Sequence, residues 1–131
     1  MPSKCRKISV GISSTEDSIN FRDGCGFFMA KILSEPPYKS KYKITILLHG
    51  GCLKYGLTNS AYQERYKEPN PYASFLTDMR QKNVKIKICQ LCITKSGFKD
   101  DELLPFVKPV PYIIDYMLQF QTKKDHFIAY A

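Results

Sequence analysis

The chain has 131 residues, of which 44% are hydrophobic and 24% charged, and it carries a formal net charge of +8 at pH 7. This length is typical of one domain, and the composition is that of a globular protein and excludes a disordered one. No run approaches the roughly 18 apolar residues that a membrane span requires. The amino terminus has charges but no apolar stretch behind them, which argues against a signal peptide and favours a cytoplasmic location.

Five short stretches rich in β-branched and aromatic residues predict strands, and amphipathic stretches between them predict helices. The predicted strands are residues 7–13, 42–48, 84–88, 106–110 and 126–130. The predicted helices are residues 19–33, 72–82 and 112–121. Strands that alternate with helices imply parallel crossovers, so the pattern predicts a three-layer α/β/α sandwich in a single domain over residues 1–131.

Three further predictions concern the residues before and within the third strand. The helix over residues 72–82 has apolar side chains at i, i+3, i+4 and i+7 from Tyr72, with Asn70 as its predicted cap. Residues 55–68 show no clear period and predict a long loop with one helical turn at most. Lys85 and Lys87 alternate with apolar residues in the third strand, which predicts that one face of that strand is solvated.

The five cysteines are the main candidates for chemistry: Cys5, Cys25, Cys52, Cys89 and Cys92. An odd count in an unsecreted chain predicts reduced thiols. Cys89 closes the third strand, where backbone N–H groups of a following turn or helix can lower a thiol pKa well below about 8.5. Its thiolate could then attack an electrophile or carry a sulfane sulfur. The alternative is that Cys89 simply fills the core, since free cysteine is among the most buried residue types.

Cys92 completes a C-x-x-C motif that fits three uses. One is a redox-active dithiol, although the motif follows a late strand and the chain has no tryptophan. Another is a zinc site, because His49 and Cys52 end the second strand and would lie at the same edge of the sheet as Cys89 and Cys92. The third is an auxiliary or resolving thiol beside a persulfide on Cys89. The chain has no P-loop or dinucleotide-binding glycine pattern, and we expect no cofactor.

The positive charge is concentrated in lysine groups. They are Lys39, Lys41 and Lys43, then Lys82, Lys85 and Lys87, and finally Lys123 and Lys124. Such a surface favours acidic partners or RNA, and it is equally typical of an ordinary solvated surface. No arginine-rich run or RNA-binding motif accompanies the lysines, so direct nucleic-acid binding stays open.

Taken together, these residues resemble the DsrE/DsrF-like family, which includes small subunits of bacterial sulfur-relay complexes and stand-alone YchN-like proteins. The matching stretch runs from Asn70-Pro71 through Asn83-Val84-Lys-Ile-Lys-Ile-Cys89-Gln-Leu-Cys92 to Gly97, followed by Glu102-Leu-Leu-Pro and a terminal helix–strand unit. His49-Gly50 at the end of the second strand also fits. The resemblance covers the chain from about residue 7, and residues 55–68 depart from it as an insertion.

The resemblance implies a five-stranded, mostly parallel sheet in a DsrEFH-like fold and a homo-oligomer, either a trimer or a hexamer. It implies a sulfurtransferase-like role in which Cys89 accepts a persulfide from a donor protein and passes the sulfur to an acceptor protein. The C-x-x-C form with Cys92 is closer to the stand-alone members. Two alternatives are a non-catalytic oligomeric interaction or regulatory module, and a zinc protein that uses His49, Cys52, Cys89 and Cys92.

Overall fold

The computed structural model describes residues 8–14, 27–119 and 126–130. Its strands are β1 (Ile8–Ser14), β2 (Tyr42–Leu48), β3 (Lys85–Cys89), β4 (Val107–Val110) and β5 (His126–Tyr130). Its α-helices are α1 (Phe27–Leu33), α2 (Asn59–Tyr66), α3 (Ala73–Gln81), α4 (Gln90–Ser96) and α5 (Ile113–Leu118). Two 3-10 helices, Gly50–Gly56 and Asp100–Glu102, complete the described elements.

The five strands form one sheet in the order β4-β3-β2-β1-β5, and every neighbouring pair is parallel. This confirms the predicted α/β fold with a parallel sheet. Strands β1 to β4 follow one another across the sheet, and the chain then returns past them to place β5 beside β1. Because parallel crossovers are right-handed, this return puts α5 on the opposite face from the earlier helices. The result is the three-layer sandwich.

The hydrophobic core lies on one face of the sheet. The register aligns Ile12 with Ile46, Ile46 with Ile86 and Ile86 with Val107, and all four are buried. Side chains of the first four helices pack onto this row in one continuous cluster, among them Phe27, Ala61, Leu76, Met79 and Ile93. Alternate strand residues face the other way, where Lys85 is exposed and Lys87 half-buried. The solvated face predicted for β3 is therefore confirmed.

The prediction of a long loop over residues 55–68 was wrong. Helix α2 occupies Asn59–Tyr66, and Thr58 caps it by accepting a hydrogen bond from the N–H of Ala61 at 3.2 Å. The helix buries only Ala61 and Tyr62, so it shows no amphipathic period in the sequence. Its stability comes from tertiary packing and the cap rather than from a hydrophobic stripe.

Asn70 has a different role from the one predicted. The first residue before α3 is Tyr72, whereas the buried Asn70 side chain donates to the carbonyl oxygens of Tyr55 at 3.0 Å and Leu57 at 2.7 Å. The side-chain amide oxygen of Asn70 accepts a hydrogen bond from the backbone N–H of Tyr72 at 2.9 Å. Asn70 thus joins the start of α3 to the segment before α2. Asn83, just after α3, has a left-handed backbone with φ of 66°.

Other boundaries moved by a few residues. The helix predicted over 112–121 is described over Ile113–Leu118, and β3 ends one residue later than predicted, at Cys89 itself. Of the helix predicted over 19–33, the described part begins at Phe27, because residues 15–26 lie outside the described residues. Within the described part of the chain, no helix is long and apolar enough to cross a membrane.

Candidate functional site: the cysteine pair at the end of β3

Cys89 is the last residue of β3 and also the residue that caps α4. Its sulfur accepts a hydrogen bond from the backbone N–H of Cys92 at 3.3 Å. This is the bond that the side chain of an N-cap residue makes. The first turn of a helix has N–H groups without helical partners, so a sulfur here satisfies one of them. Cys89 is buried, with 3% of its surface exposed. Both Cys89 and Cys92 are free thiols.

Cys92 lies one helical turn further and is half-buried. Its pKa is raised to about 11, first by burial, then by a hydrogen bond to the Cys89 side chain and by the charge on Cys89. The backbone N–H of Gly50 and the charge of Lys95 act in the opposite direction but do not offset these effects. Cys92 therefore keeps its proton at neutral pH and donates it to the Cys89 sulfur. The sequence placed both thiols at this edge but carried no signal for the interaction with Gly50.

Gly50 reaches the cysteines because the 3-10 helix Gly50–Gly56 starts where β2 ends. The far end of this helix is pressed against β3: a Cβ on Gly56 would lie 2.8 Å from the Ile88 side chain. A larger residue at position 56 would therefore require the Ile88 side chain to move. Two further interactions fix the segment after it, since Leu104 donates its N–H to Gly56 at 2.8 Å and Leu57 forms a bridge with Leu103. The carboxyl ends of β2 and β3 thus lie side by side at one edge of the sheet.

An ion pair holds the outer side of this region together. Arg65 on α2 contacts both carboxylate oxygens of Glu102 at 2.6 and 2.8 Å, and its guanidinium lies 4.7 Å from the centre of the Phe98 ring. Glu102 also accepts the N–H of Lys99 at 2.8 Å, and this bond, followed by Arg65, lowers the pKa of its carboxyl group. The ion pair connects α2, which the sequence missed, to the loop that follows α4.

The structure does not assemble the four residues of the zinc alternative into a metal site. His49, Cys52, Cys89 and Cys92 were expected at one edge of the sheet, but the described residues contain no group of three or more His, Cys, Asp or Glu that could hold a metal ion. Cys52 is disulfide-bonded, and a sulfur in a disulfide has no thiolate to offer a metal. Burial lowers the pKa of His49, so its imidazole is neutral at neutral pH.

The disulfide also corrects the expectation that all five cysteines are reduced. An odd count leaves at least one thiol free but does not prevent one pair from forming. Cys52 is fully buried and Cys89 nearly so, whereas Cys92 is half-buried. The described chemistry at this edge therefore belongs to Cys89 and Cys92 alone, with Gly50 and Lys95 as neighbours of Cys92.

Comparison with known proteins agrees with this arrangement of strands and helices. The family model of the DsrE/DsrF-like family matches residues 11–130. The chain belongs to the DsrE/DsrF-like family. This confirms the resemblance drawn from the C-x-x-C strand end. A search of curated proteins gave no match.

Two solved structures share the DsrE/DsrF-like fold. A protein of unknown function, MTH1491 from Methanobacterium thermoautotrophicum, superposes with a TM-score of 0.72 at 14% identity, covering 95% of this chain and 100% of the other. The ychN protein from E. coli superposes with a TM-score of 0.62 at 16% identity, covering 95% of this chain and 99% of the other. At these identities the likeness shows the fold.

Proposed function

We propose that this DsrE/DsrF-like protein is a sulfur-relay, sulfurtransferase-like protein that carries a persulfide on Cys89, with Cys92 as its accessory thiol. The hydrogen bonding at the end of β3 supports this most directly. The Cys89 sulfur accepts the backbone N–H of Cys92 at 3.3 Å and also the Cys92 thiol proton. Donors directed at a sulfur stabilise negative charge on it, and the thiolate is the reactive form of cysteine.

The transfer consists of two exchange steps. In the first, the Cys89 thiolate attacks the outer sulfur of a donor persulfide, R–S–SH. A new S–S bond forms on Cys89, the S–S bond of the donor breaks, and the donor leaves as its thiolate. In the second, an acceptor thiolate attacks the outer sulfur on Cys89, and Cys89 leaves as a thiolate. Each S–S bond formed replaces one broken, so neither step needs a cofactor, an oxidant or a reductant.

Cys92 has a protective role in this scheme. A thiolate at Cys92 would attack the inner sulfur of a Cys89 persulfide, release sulfide and leave a Cys89–Cys92 disulfide. Because the pKa of Cys92 is raised to about 11, only a small fraction is thiolate at neutral pH. The proton on Cys92 therefore slows the loss of the carried sulfur, while its hydrogen bond to Cys89 orients that sulfur.

A reducing compartment fits the proposal, and we place the protein in the cytoplasm. Carrier chemistry requires Cys89 and Cys92 as thiols, which a reducing environment maintains. The disulfide at Cys52 is compatible with such a compartment, because Cys52 has no exposed surface through which a reductant would reach it. Fractionation of cells that express the tagged protein tests this, and recovery in a membrane or secreted fraction would contradict it.

We further propose that the protein acts as a homo-oligomer, either a trimer or a hexamer. Three large apolar side chains around α5 are exposed: Tyr112 at 58%, Ile114 at 56% and Leu118 at 56%. Association between copies would remove them from water, at roughly 25 cal/mol for each Å² of apolar surface. Light scattering measures the mass of the assembly, and a monomer at micromolar concentration would contradict this part of the proposal.

One observation favours a second function. Cys89 has only 3% of its surface exposed, which is also what a structural cysteine in a non-catalytic oligomeric interaction or regulatory module would show. The two functions differ in whether a sulfane sulfur ever reaches Cys89. In the carrier, donor binding must expose the Cys89 sulfur enough for the transfer step.

Intact mass spectrometry after incubation with glutathione persulfide distinguishes the two. The carrier gains the mass of one sulfur atom on Cys89. A Cys89→Ala variant gains none at this site, whereas the matched Cys92→Ala variant still gains one and then loses it at a different rate. Equal uptake by the wild type and Cys89→Ala, or no uptake by either, would exclude the carrier function.

A further inference from the structure

A groove on the lysine-bearing face of the sheet is separate from the cysteine pair at the end of β3. It has a volume of about 790 Å³ and extends from the end of α3 across the first residues of β3 to β4. Five basic side chains line it, and none of the described residues that line it is acidic. The five are Lys43, Arg80, Lys85, Lys87 and Lys108. We call it the basic groove.

The strand register explains why these charges gather. Lys87 pairs with Lys108 on the neighbouring strand β4, and Lys85 lies two residues before Lys87 on the same face of β3. Lys85 itself pairs with Thr45 on β2, two residues after Lys43. Neighbouring strands lie about 4.8 Å apart, and alternate residues along a strand lie about 6.6 Å apart. The lysines therefore form a compact two-dimensional array across three strands.

Such an array repels itself in the free protein. The pKa of Lys87 is lowered, first by partial burial and then by the charges of Lys85 and Lys108. Lys43, Arg80, Lys85 and Lys108 form no ion pair with any residue in the described part of the chain. Bound anions would offset the repulsion and hydrogen-bond to these donors. The groove is therefore suited to bind a ligand that carries several negative charges.

The chemistry of the remaining lining identifies the ligand more closely. A second copy of this chain would bring a second array of positive charge, which excludes pairing of this face with itself. An acidic peptide would require only the basic side chains for binding, and not the other residues that line the groove. The groove also contains the amide side chains of Gln81 and Asn83 and the half-buried ring of Phe106. Amides hydrogen-bond to base edges and aromatic rings stack on bases, and single-stranded nucleic acids are bound in this way beside basic side chains.

We propose that the basic groove binds single-stranded RNA, with its lysines and Arg80 on the phosphates and with Phe106 and the amide side chains against the bases. The groove spans only about three strands, roughly 10 Å, so it accommodates a few nucleotides rather than a duplex. This binding does not depend on sulfur transfer, because no cysteine lines the groove.

Fluorescence anisotropy with a labelled oligouridylate tests the proposal on the full chain. A Lys85→Gln/Lys108→Gln variant removes two exposed charges from the groove. The matched control, Lys31→Gln/Lys39→Gln, removes two exposed charges elsewhere and gives the same net charge. We expect the groove variant to lower the slope of log affinity against log salt by about 1.4, which is 0.7 for each phosphate that the protein no longer neutralises. The control should keep the wild-type slope.

Three outcomes would overturn the proposal. They are no binding of the oligouridylate by the wild type, equal weakening by both double variants, and displacement of the RNA by polyglutamate or inorganic polyphosphate at the same concentration of negative charge. The last would mean that charge alone is recognised. Circular dichroism on each variant confirms that the exposed substitutions leave the fold intact. Replacement of Phe106 by Leu should weaken binding of RNA but not of polyphosphate. A fourth contradicting outcome is that this variant weakens binding of polyphosphate but not of RNA.

Discussion

Replacement of Asn70 by Ala should strongly destabilise the fold. The side chain is buried and makes three hydrogen bonds, to the carbonyls of Tyr55 and Leu57 and from the N–H of Tyr72. Each bond contributes about 1 kcal/mol net, and the buried groups left without partners add to the cost. We therefore expect Asn70→Ala to lower the free energy of unfolding by about 3 kcal/mol.

Urea denaturation followed by circular dichroism measures this change. Asn70→Asp removes only the two hydrogen bonds that the side-chain NH₂ group donates. It keeps an oxygen that can accept the N–H of Tyr72 but places a second oxygen against two carbonyl oxygens. Its loss should be at least as large and should grow as pH rises and the buried carboxyl ionises. The exposed Ser74, on α3, provides the control: Ser74→Ala should change the free energy by less than about 0.5 kcal/mol.

A loss below about 1 kcal/mol for Asn70→Ala, at an unchanged dependence on urea, would refute this reasoning. It would mean that water reaches the three backbone groups and replaces the side chain. The prediction matters for the site, because Asn70 fixes the segment between the 3-10 helix beside the cysteines and α3. If that segment loosens, the position of Gly50 beside Cys92 is less well defined.

Three further predictions concern other parts of the described structure. Gly97 ends α4 with φ of 79° and open space around its missing Cβ, so Gly97→Ala should cost about 1 kcal/mol from backbone strain alone, and Gly97→Asn less, in the same urea assay. The pKa of Glu102 is lowered, so its negative charge stabilises the fold at pH values above its ordinary pKa of 4.5. The difference in unfolding free energy between wild type and Glu102→Gln should therefore be largest at neutral pH and shrink in acid. A difference that does not depend on pH would contradict this. Alkylation of Cys92, followed by peptide mapping against pH, should show a midpoint of about 11 in the wild type and a lower midpoint in Cys89→Ala, because both effects of Cys89 raise the pKa. An unchanged midpoint would show that burial alone sets it.

Most of the sheet could be predicted from the sequence, because each strand is a short β-branched run between breakers. The bounds of β2 and β5 match the prediction, and β3 differs by one residue at each end. Helix α3 was also predictable, since it buries a regular stripe. Helix α2 was not, because it packs through only two side chains and its cap, Thr58, is a single polar residue in a polar segment.

The location of the cysteine pair could be predicted from the sequence, but most of its interactions could not. The end of a buried strand followed by C-x-x-C was enough to locate Cys89 and Cys92 at one edge of the sheet. The sequence also placed backbone N–H groups next to Cys89, and the bond from Cys92 is one of them. It could not show that Gly50 donates to Cys92, because this depends on how the 3-10 helix packs on β3. The same holds for Cys52, whose disulfide removes it from any set of metal ligands.

The carrier function is tested most directly by locating the transferred sulfur. After incubation with glutathione persulfide and rapid alkylation, peptide mapping by mass spectrometry should find the alkylated persulfide on Cys89 and an unmodified or singly alkylated thiol on Cys92. A subsequent pulse of acceptor thiol should return Cys89 to a free thiol without forming a Cys89–Cys92 disulfide. A persulfide found on Cys92 instead, or on neither cysteine, would contradict the proposed function.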